Sequence, residues 1–292
     1  MRRLLVIGLL VIALPLPLAA WGFDVHRFII GEAIDRLPPE MRPFYQAHRT
    51  FLVEYSVVPD LMRNLDVAEE PPRHFLDMDA YGEYPFRDLP RDYEAAVKKF
   101  GSEMIVKNGL LPWRTAEIYD RLVRAFERAG RGERYGLDDA KLMSAVLAHY
   151  VADAFVPFHA ILNYDGQLTD QRGIHSRFES ELFERYRPQL NVSRPPLPEV
   201  VNPRDFIFDT LLDSFVETRP ILEADRRAAA GRETYDNVYF ERFFGEVRPI
   251  VERRLGGAVA ATASLIARAW EQAGRPDLSR VPGRSPRKIG GR

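Results

Sequence analysis

Leu142, Val146, His149, Asp153 and Val156 follow one another at intervals of four and three, so in a helix they form a single stripe. Three of the five are aliphatic, which turns the stripe toward a core and carries a histidine and an aspartate in with it. Burying such a pair is costly unless each group has a charged, hydrogen-bonding or metallic partner. A fold open to this chain therefore puts a helix near its centre with an imidazole and a carboxylate facing inward. Taken alone, the pair reads equally well as a satisfied ion pair. Its surroundings change the reading. His159 comes just past Pro157, where the helix must end. His175 and Glu179 repeat the four-residue spacing, and Leu182 and Tyr186 extend their face. Upstream stand Trp21, His26, Asp60 and His74, with Asp77 close enough to orient a neighbouring ligand. The chain has no cysteine. Its donors are therefore nitrogen and oxygen, a set that suits zinc in hydrolytic sites.

The remaining pattern is helical. Periodic apolar residues predict helices over 24–37, 112–129, 137–156, 173–187, 203–224, 234–254 and 258–273. Asp138 or Asp139 supplies a start signal for the third, and Gly130 ends the second. Proline-rich loops cover 69–73, 81–90 and 194–203, and no stretch alternates in the manner of a strand. The expected fold class is all-α, a multi-helix globular bundle with Pro-rich loops.

Residues 1–20 read separately. Arg2 and Arg3 precede an apolar run, and the segment closes on Leu18-Ala19-Ala20, the organisation of a secretory signal. Cleavage after Ala20 would leave Trp21 as the mature amino terminus and a secreted or periplasmic protein. The alternative is an uncleaved N-terminal anchor. Residues 21–273 form the expected domain. Residues 274–292, rich in Gly, Pro and basic side chains, form an expected disordered tail. The formal net charge is −1 and becomes more negative if Arg2 and Arg3 are lost. That balance gives no support to general nucleic-acid binding through a basic surface. Three divalent ions would reverse its sign.

The ordered set Trp21, His26, Asp60, His74, His149-x3-Asp153-x5-His159 and His175-x3-Glu179 resembles the superfamily of zinc-dependent phospholipases C and single-strand-specific zinc nucleases. The resemblance implies an all-helical phosphodiesterase with three zinc ions per chain. It assigns Asp60, His74, His149 and Asp153 to the first, and His159, His175 and Glu179 to the second. The third would take the Trp21 amine and carbonyl, His26 and Asp153. It also implies that Asp60 holds the proton of the attacking water and that Arg63 meets the phosphate. The short interval from His159 to His175, the choice of Glu179 and the lack of cysteine resemble the phospholipases. The spacings Trp21 to His26 and Asp60 to Arg63 resemble the nucleases. Leu61 stands where choline-preferring phospholipases carry an aromatic. The expected substrate is phospholipid, with single-stranded nucleic acid as the alternative. The chain is expected to be a monomer with transient contact to a membrane surface. A lesser alternative is a non-catalytic secreted zinc-binding protein.

Overall fold

A computed structural model describes residues 22–65 and 67–279. The segment expected to be a leader (1–20), Trp21 and residues 280–292 lie outside the described residues. Twelve α-helical segments are described: α1 (Phe23–Ile34), α2 (Arg42–Ala47), α3 (Arg49–Tyr55), α4 (Val58–Asn64), α5 (Tyr93–Phe100), α6 (Ser102–Lys107), α7 (Leu111–Gly130), α8 (Gly136–Ala154), α9 (Ile174–Ser176), α10 (Leu182–Tyr186), α11 (Pro203–Ala229) and α12 (Asn237–Gln272). No strand occurs among the described residues, and none of their helices is long and apolar enough to cross a membrane.

Helix α8 is the axis. Every residue from Ser144 to Ala154 is buried, as befits a helix apolar nearly all round. It packs against α7, its antiparallel neighbour, and against α1, α3, α11 and α12. Phe126 from α7 and Phe240 and Phe243 from α12 fill the core with Tyr150 of α8 itself. His149 and Asp153 are therefore fully buried by every side of the bundle, each at 0% exposure. The helix does not start on an aspartate cap. Tyr135 precedes it in the left-handed region (φ 69°) with no capping side chain, and Asp139 instead accepts from Arg128 Nη1 at 2.7 Å.

Two further elements differ from the sequence reading. The expected break between 254 and 258 is absent, because α12 runs unbroken through Gly256 and Gly257. These glycines admit neighbours rather than end the helix. A Cβ on Gly256 would lie 2.1 Å from the Ser193 carbonyl oxygen, and one on Gly257 would lie 2.6 Å from the Phe155 ring. The packed chain also passes the expected edge at 273. Arg275 N–H donates to the Trp270 carbonyl at 2.9 Å. Trp270 Nε1–H donates to the Pro276 carbonyl, also at 2.9 Å, and Leu278 is buried. The apolar contact of Leu278 holds down a segment that composition alone reads as tail.

Candidate metal centre

Five segments converge on the inward face of α8. Helix α1 brings His26, the first turn of α4 brings Asp60, and His74 caps a 3-10 turn at Pro71–Arg73. Pro157 stops α8 and starts the 3-10 turn that carries His159. The fifth segment departs from expectation. Residues 174–186 are not one regular α-helix, since Arg177–Glu181 winds as a π-helix between α9 and α10. The wider turn still leaves His175 Nε2 3.0 Å from Glu179 Oε2. Such π-turns recur at functional sites.

Asp153 is the hub. Its Oδ2 lies 3.0 Å from His74 Nδ1 and 3.3 Å from His149 Nε2. Its Oδ1 lies 3.6 Å from His26 Nε2 and 3.7 Å from His159 Nδ1. Asp60 Oδ1 lies 3.8 Å from His74 Nδ1 and 4.0 Å from His149 Nε2. The His26 and His149 rings stack with centroids 3.9 Å apart. Potential ligand atoms thus gather into three groups: His26, His149 and Asp153; Asp60, His74 and His149; and His159, His175 and Glu179. All eight side chains are buried. The ninth expected donor, Trp21, lies outside the described residues. Its neighbour Gly22 donates its N–H to Ser180 Oγ at 3.1 Å, one residue from Glu179.

Hydrogen bonds to the outer ring nitrogens select the tautomers. His149 Nδ1–H donates to the Ser56 carbonyl at 2.8 Å, and His159 Nδ1–H donates to the His74 carbonyl at 2.6 Å. Each Nε2 is left with its lone pair facing the group. For His74 the outer nitrogen is Nε2, which lies 3.6 Å from Glu70 Oε1. Glu70 is itself buried, accepts from the Tyr150 hydroxyl, and accepts from Arg73 Nη1 at 2.6 Å. Glu70, rather than Asp77, is the carboxylate that lies beside the outer nitrogen of His74. Its signal in the sequence was the interval of four to His74. Asp77 is held instead by its backbone, whose N–H donates to the Asn108 carbonyl at 2.8 Å.

The electrostatics favour cations. Burial, then His149, pushes the His26 pKa well below its ordinary value. Burial takes His159 down to about 3 and His175 to about 4. These three imidazoles are neutral, the form that ligates. Burial raises Asp60. At Asp153 burial works in the same direction but is outweighed by His149 and His159, and its pKa falls well below the usual carboxylate range. At His74 burial is outweighed by Asp153 and Glu70, which raise it to about 9. Neither ring nitrogen of His26, neither oxygen of Asp60, nor Oδ1 of Asp153 makes a hydrogen bond, and all five atoms are buried. Buried polar atoms without partners are expensive. Imidazole nitrogens and carboxylate oxygens turned toward common points fit divalent zinc.

The cluster opens on a cavity of about 280 Å³ lined by His74, His159 and His175 on one side, with Arg63, Lys107, Phe75, Phe158 and Tyr164 among the other walls. Arg63 Nη2 lies 3.3 Å from Asp60 Oδ1. The spacing of Asp60 and Arg63 thus puts the carboxylate inside and the guanidinium at the cavity. Lys107 carried no signal in the sequence, since it belongs to a short, exposed helix whose approach to the site is purely tertiary.

The family model described as zinc dependent phospholipase C matches residues 25–217, more than half of the chain and a span that includes all eight described donors. Comparison with curated proteins gave no match.

Proposed function

The chain belongs to the zinc-dependent phospholipase C family, and from that premise we propose that it hydrolyses phosphodiester bonds of phospholipids at a centre of three zinc ions. The observation that carries the reading is the clustering of three donor groups, two of which reach one cavity that also holds two cationic side chains. A purely structural zinc core would be closed by four protein ligands at each ion. His159, His175 and Glu179 supply only three among the described residues, and His159 and His175 face the cavity.

Asp60, His74, His149 and Asp153 would hold one ion, and His159, His175 and Glu179 a second. His26 and Asp153, with the amine and carbonyl of Trp21, would hold a third. The anchoring of Gly22 to Ser180 supports that last assignment. Zinc bound there would supply acidification of water and neutralisation of phosphate charge. The chain's own groups do the rest. Asp60, buried and beside Arg63, is placed to hold a proton of the attacking water at Oδ1. Arg63 and Lys107, which line the cavity, orient the phosphate oxygens. Phe75, Phe158 and Tyr164 line the cavity with aromatic surface and limit water. Asp153 fixes the geometry by touching both sides of the cluster.

Secretion or periplasmic export follows on this reading from the leader at 1–20, whose removal would free the Trp21 amine. The test is a substrate panel. The purified protein is offered phosphatidylcholine, other phospholipids, single-stranded DNA and RNA, with and without chelator. Chelator-sensitive release of phosphorylated head group is expected. Nucleotide release alone would place the chain with the nucleases of the superfamily, and no turnover of any substrate would leave a non-catalytic zinc-binding protein.

A further inference from the structure

Arg177 stands midway between His175 and Glu179, at the start of the π-turn. Two residues from each, its side chain leaves the winding on the opposite face. There Nη1–H donates to the Arg172 carbonyl at 2.7 Å and Nη2–H to the Gln171 carbonyl at 3.2 Å, so the guanidinium folds back over the loop that enters α9. Nη2–H also donates to Asp225 Oδ1 at 3.0 Å, and Nε–H to the Tyr239 hydroxyl at 3.0 Å. The Tyr239 hydroxyl donates in turn to Asp225 Oδ1, and Gln171 Nε2–H donates to Asp225 Oδ2 at 2.6 Å. The guanidinium carbon lies 3.8 Å from the centroid of the Tyr235 ring. Arg177, Asp225, Tyr239 and Gln171 are all buried. Asp225 belongs to α11 and Tyr239 to α12, and both lie beyond residues 25–217, the span of the family match.

We infer that Arg177, Asp225 and Tyr239 form a clamp that positions His175 and Glu179 for the second zinc ion, an inference that rests on the zinc reading above. Arg177 acts through the turn that carries both ligands. A π-turn is a rare winding, and this one is held from outside by two other helices. Rewinding it as α-helix would rotate Glu179 against His175, whose Oε2 and Nε2 now lie 3.0 Å apart. The group of His159, His175 and Glu179 has three described protein donors, so displacing two of them leaves little to hold an ion. The charges in the clamp are matched, one guanidinium and one carboxylate buried together. Losing one partner leaves the other uncompensated. The arginine must then seek a new partner, and it takes the turn with it. Residues that orient metal ligands in this way typically carry about ten- to a hundredfold in metal affinity.

The experiment compares the full chain with its Asp225→Asn, Tyr239→Phe and Tyr45→Phe variants. The last is a control outside the clamp, where Tyr45 shares a buried hydroxyl bond with Ser144 Oγ at 2.8 Å. Zinc affinity and stoichiometry are read by competition with a chromophoric chelator, and local opening by amide exchange across 174–181 in chelator-treated protein. Asp225→Asn and Tyr239→Phe should each bind one ion about ten- to a hundredfold more weakly and speed that exchange about tenfold. Anomalous diffraction from the variants should place the weakened ion among His159, His175 and Glu179. Tyr45→Phe should keep all its zinc at parental affinity. Parental zinc affinity in both clamp variants would overturn the inference, as would weakening at a different ion. Equal weakening in Tyr45→Phe would overturn it too, as a general loss of stability. Should Asp225→Asn not fold, Tyr239→Phe, which keeps the ring and the ion pair, decides alone. A parent chain that binds no zinc would remove the metal centre and the clamp's role with it. A parent that binds zinc, beside clamp variants that bind it equally well, would remove the clamp alone.

Discussion

Replacing Glu70 by Gln should weaken zinc binding by about ten- to a hundredfold without contacting a metal position. Glu70 Oε1 lies 3.6 Å from His74 Nε2, with both side chains buried. At an effective dielectric of about 20, a unit charge pair at that separation is worth roughly 4–5 kcal/mol in gross terms. Arg73 draws on the same carboxylate at 2.6 Å, and desolvation removes much of the remainder. What survives should match the loss typical of partners that orient a metal-bound histidine, about 1.4–2.7 kcal/mol as tenfold to hundredfold. Gln keeps an oxygen for the Tyr150 hydroxyl, so the zinc-free protein should melt close to the parent. Glu70→Ala removes that acceptor as well and leaves a buried hydroxyl unpaired, a further loss of about 1–3 kcal/mol in stability. Zinc affinity is read by competition with a chromophoric chelator, and stability by thermal melts of chelator-treated protein. A Gln variant whose zinc affinity stayed within twofold of the parent would refute the orienting role. Equal melting of the Gln and Ala variants would refute the role of Tyr150.

Asp60→Asn should reduce turnover of a soluble phosphodiester to a small residue while elemental analysis still finds most of the zinc; full activity would remove Asp60 from the chemistry. An extra residue ahead of Trp21 should lower the zinc content by one ion per chain, which unchanged stoichiometry would contradict. The histidine contributions to the stability of chelator-treated protein should together be greatest near pH 6.5. His74, raised to about 9, contributes stability that is fully present below 6.5 and lost as pH rises through 9. His159 and His175, lowered to about 3 and 4, contribute stability that is full above 6.5 and lost on acidification toward those values. A flat stability profile between pH 4 and 9 would contradict both shifts. Gly256→Ala should destabilise the fold by about 1–3 kcal/mol, because a Cβ 2.1 Å from the Ser193 carbonyl oxygen forces the backbone to move; a melting temperature equal to the parent's would show that the contact yields freely.

Much of this arrangement is legible in the sequence because helical spacing carries it. The interval from His149 to Asp153 and the aliphatic residues around it specify both the face and its burial. Pro157 marks where α8 stops, and so where His159 turns back. Helix existence is read well for the same reason. What was not legible depends on tertiary approach. Gly256 and Gly257 carry the composition of a break, yet in α12 they make room for Ser193 and Phe155. The π-turn at Arg177–Glu181 leaves the His175 and Glu179 interval unchanged, so periodicity does not reveal it. Arg177, two residues past His175, donates to Asp225 Oδ1 at 3.0 Å and to the Tyr239 hydroxyl at 3.0 Å, partners far along the chain. Glu70 was hidden by its setting: a glutamate before two prolines reads as a solvated loop residue until Tyr150 and His74 are seen against it. Lys107 reaches the cavity only because α6 folds back toward the 74–78 segment.

The account depends on the buried nitrogen and oxygen donors serving as ligands. Diffraction from crystals of the zinc-loaded protein, collected on either side of the zinc absorption edge, tests this most directly. The predicted result is three anomalous peaks: one among Asp60, His74, His149 and Asp153, one among His159, His175 and Glu179, and one beside His26 and Asp153. A fully loaded crystal with no anomalous density among these side chains would contradict the account, whatever activity the protein showed.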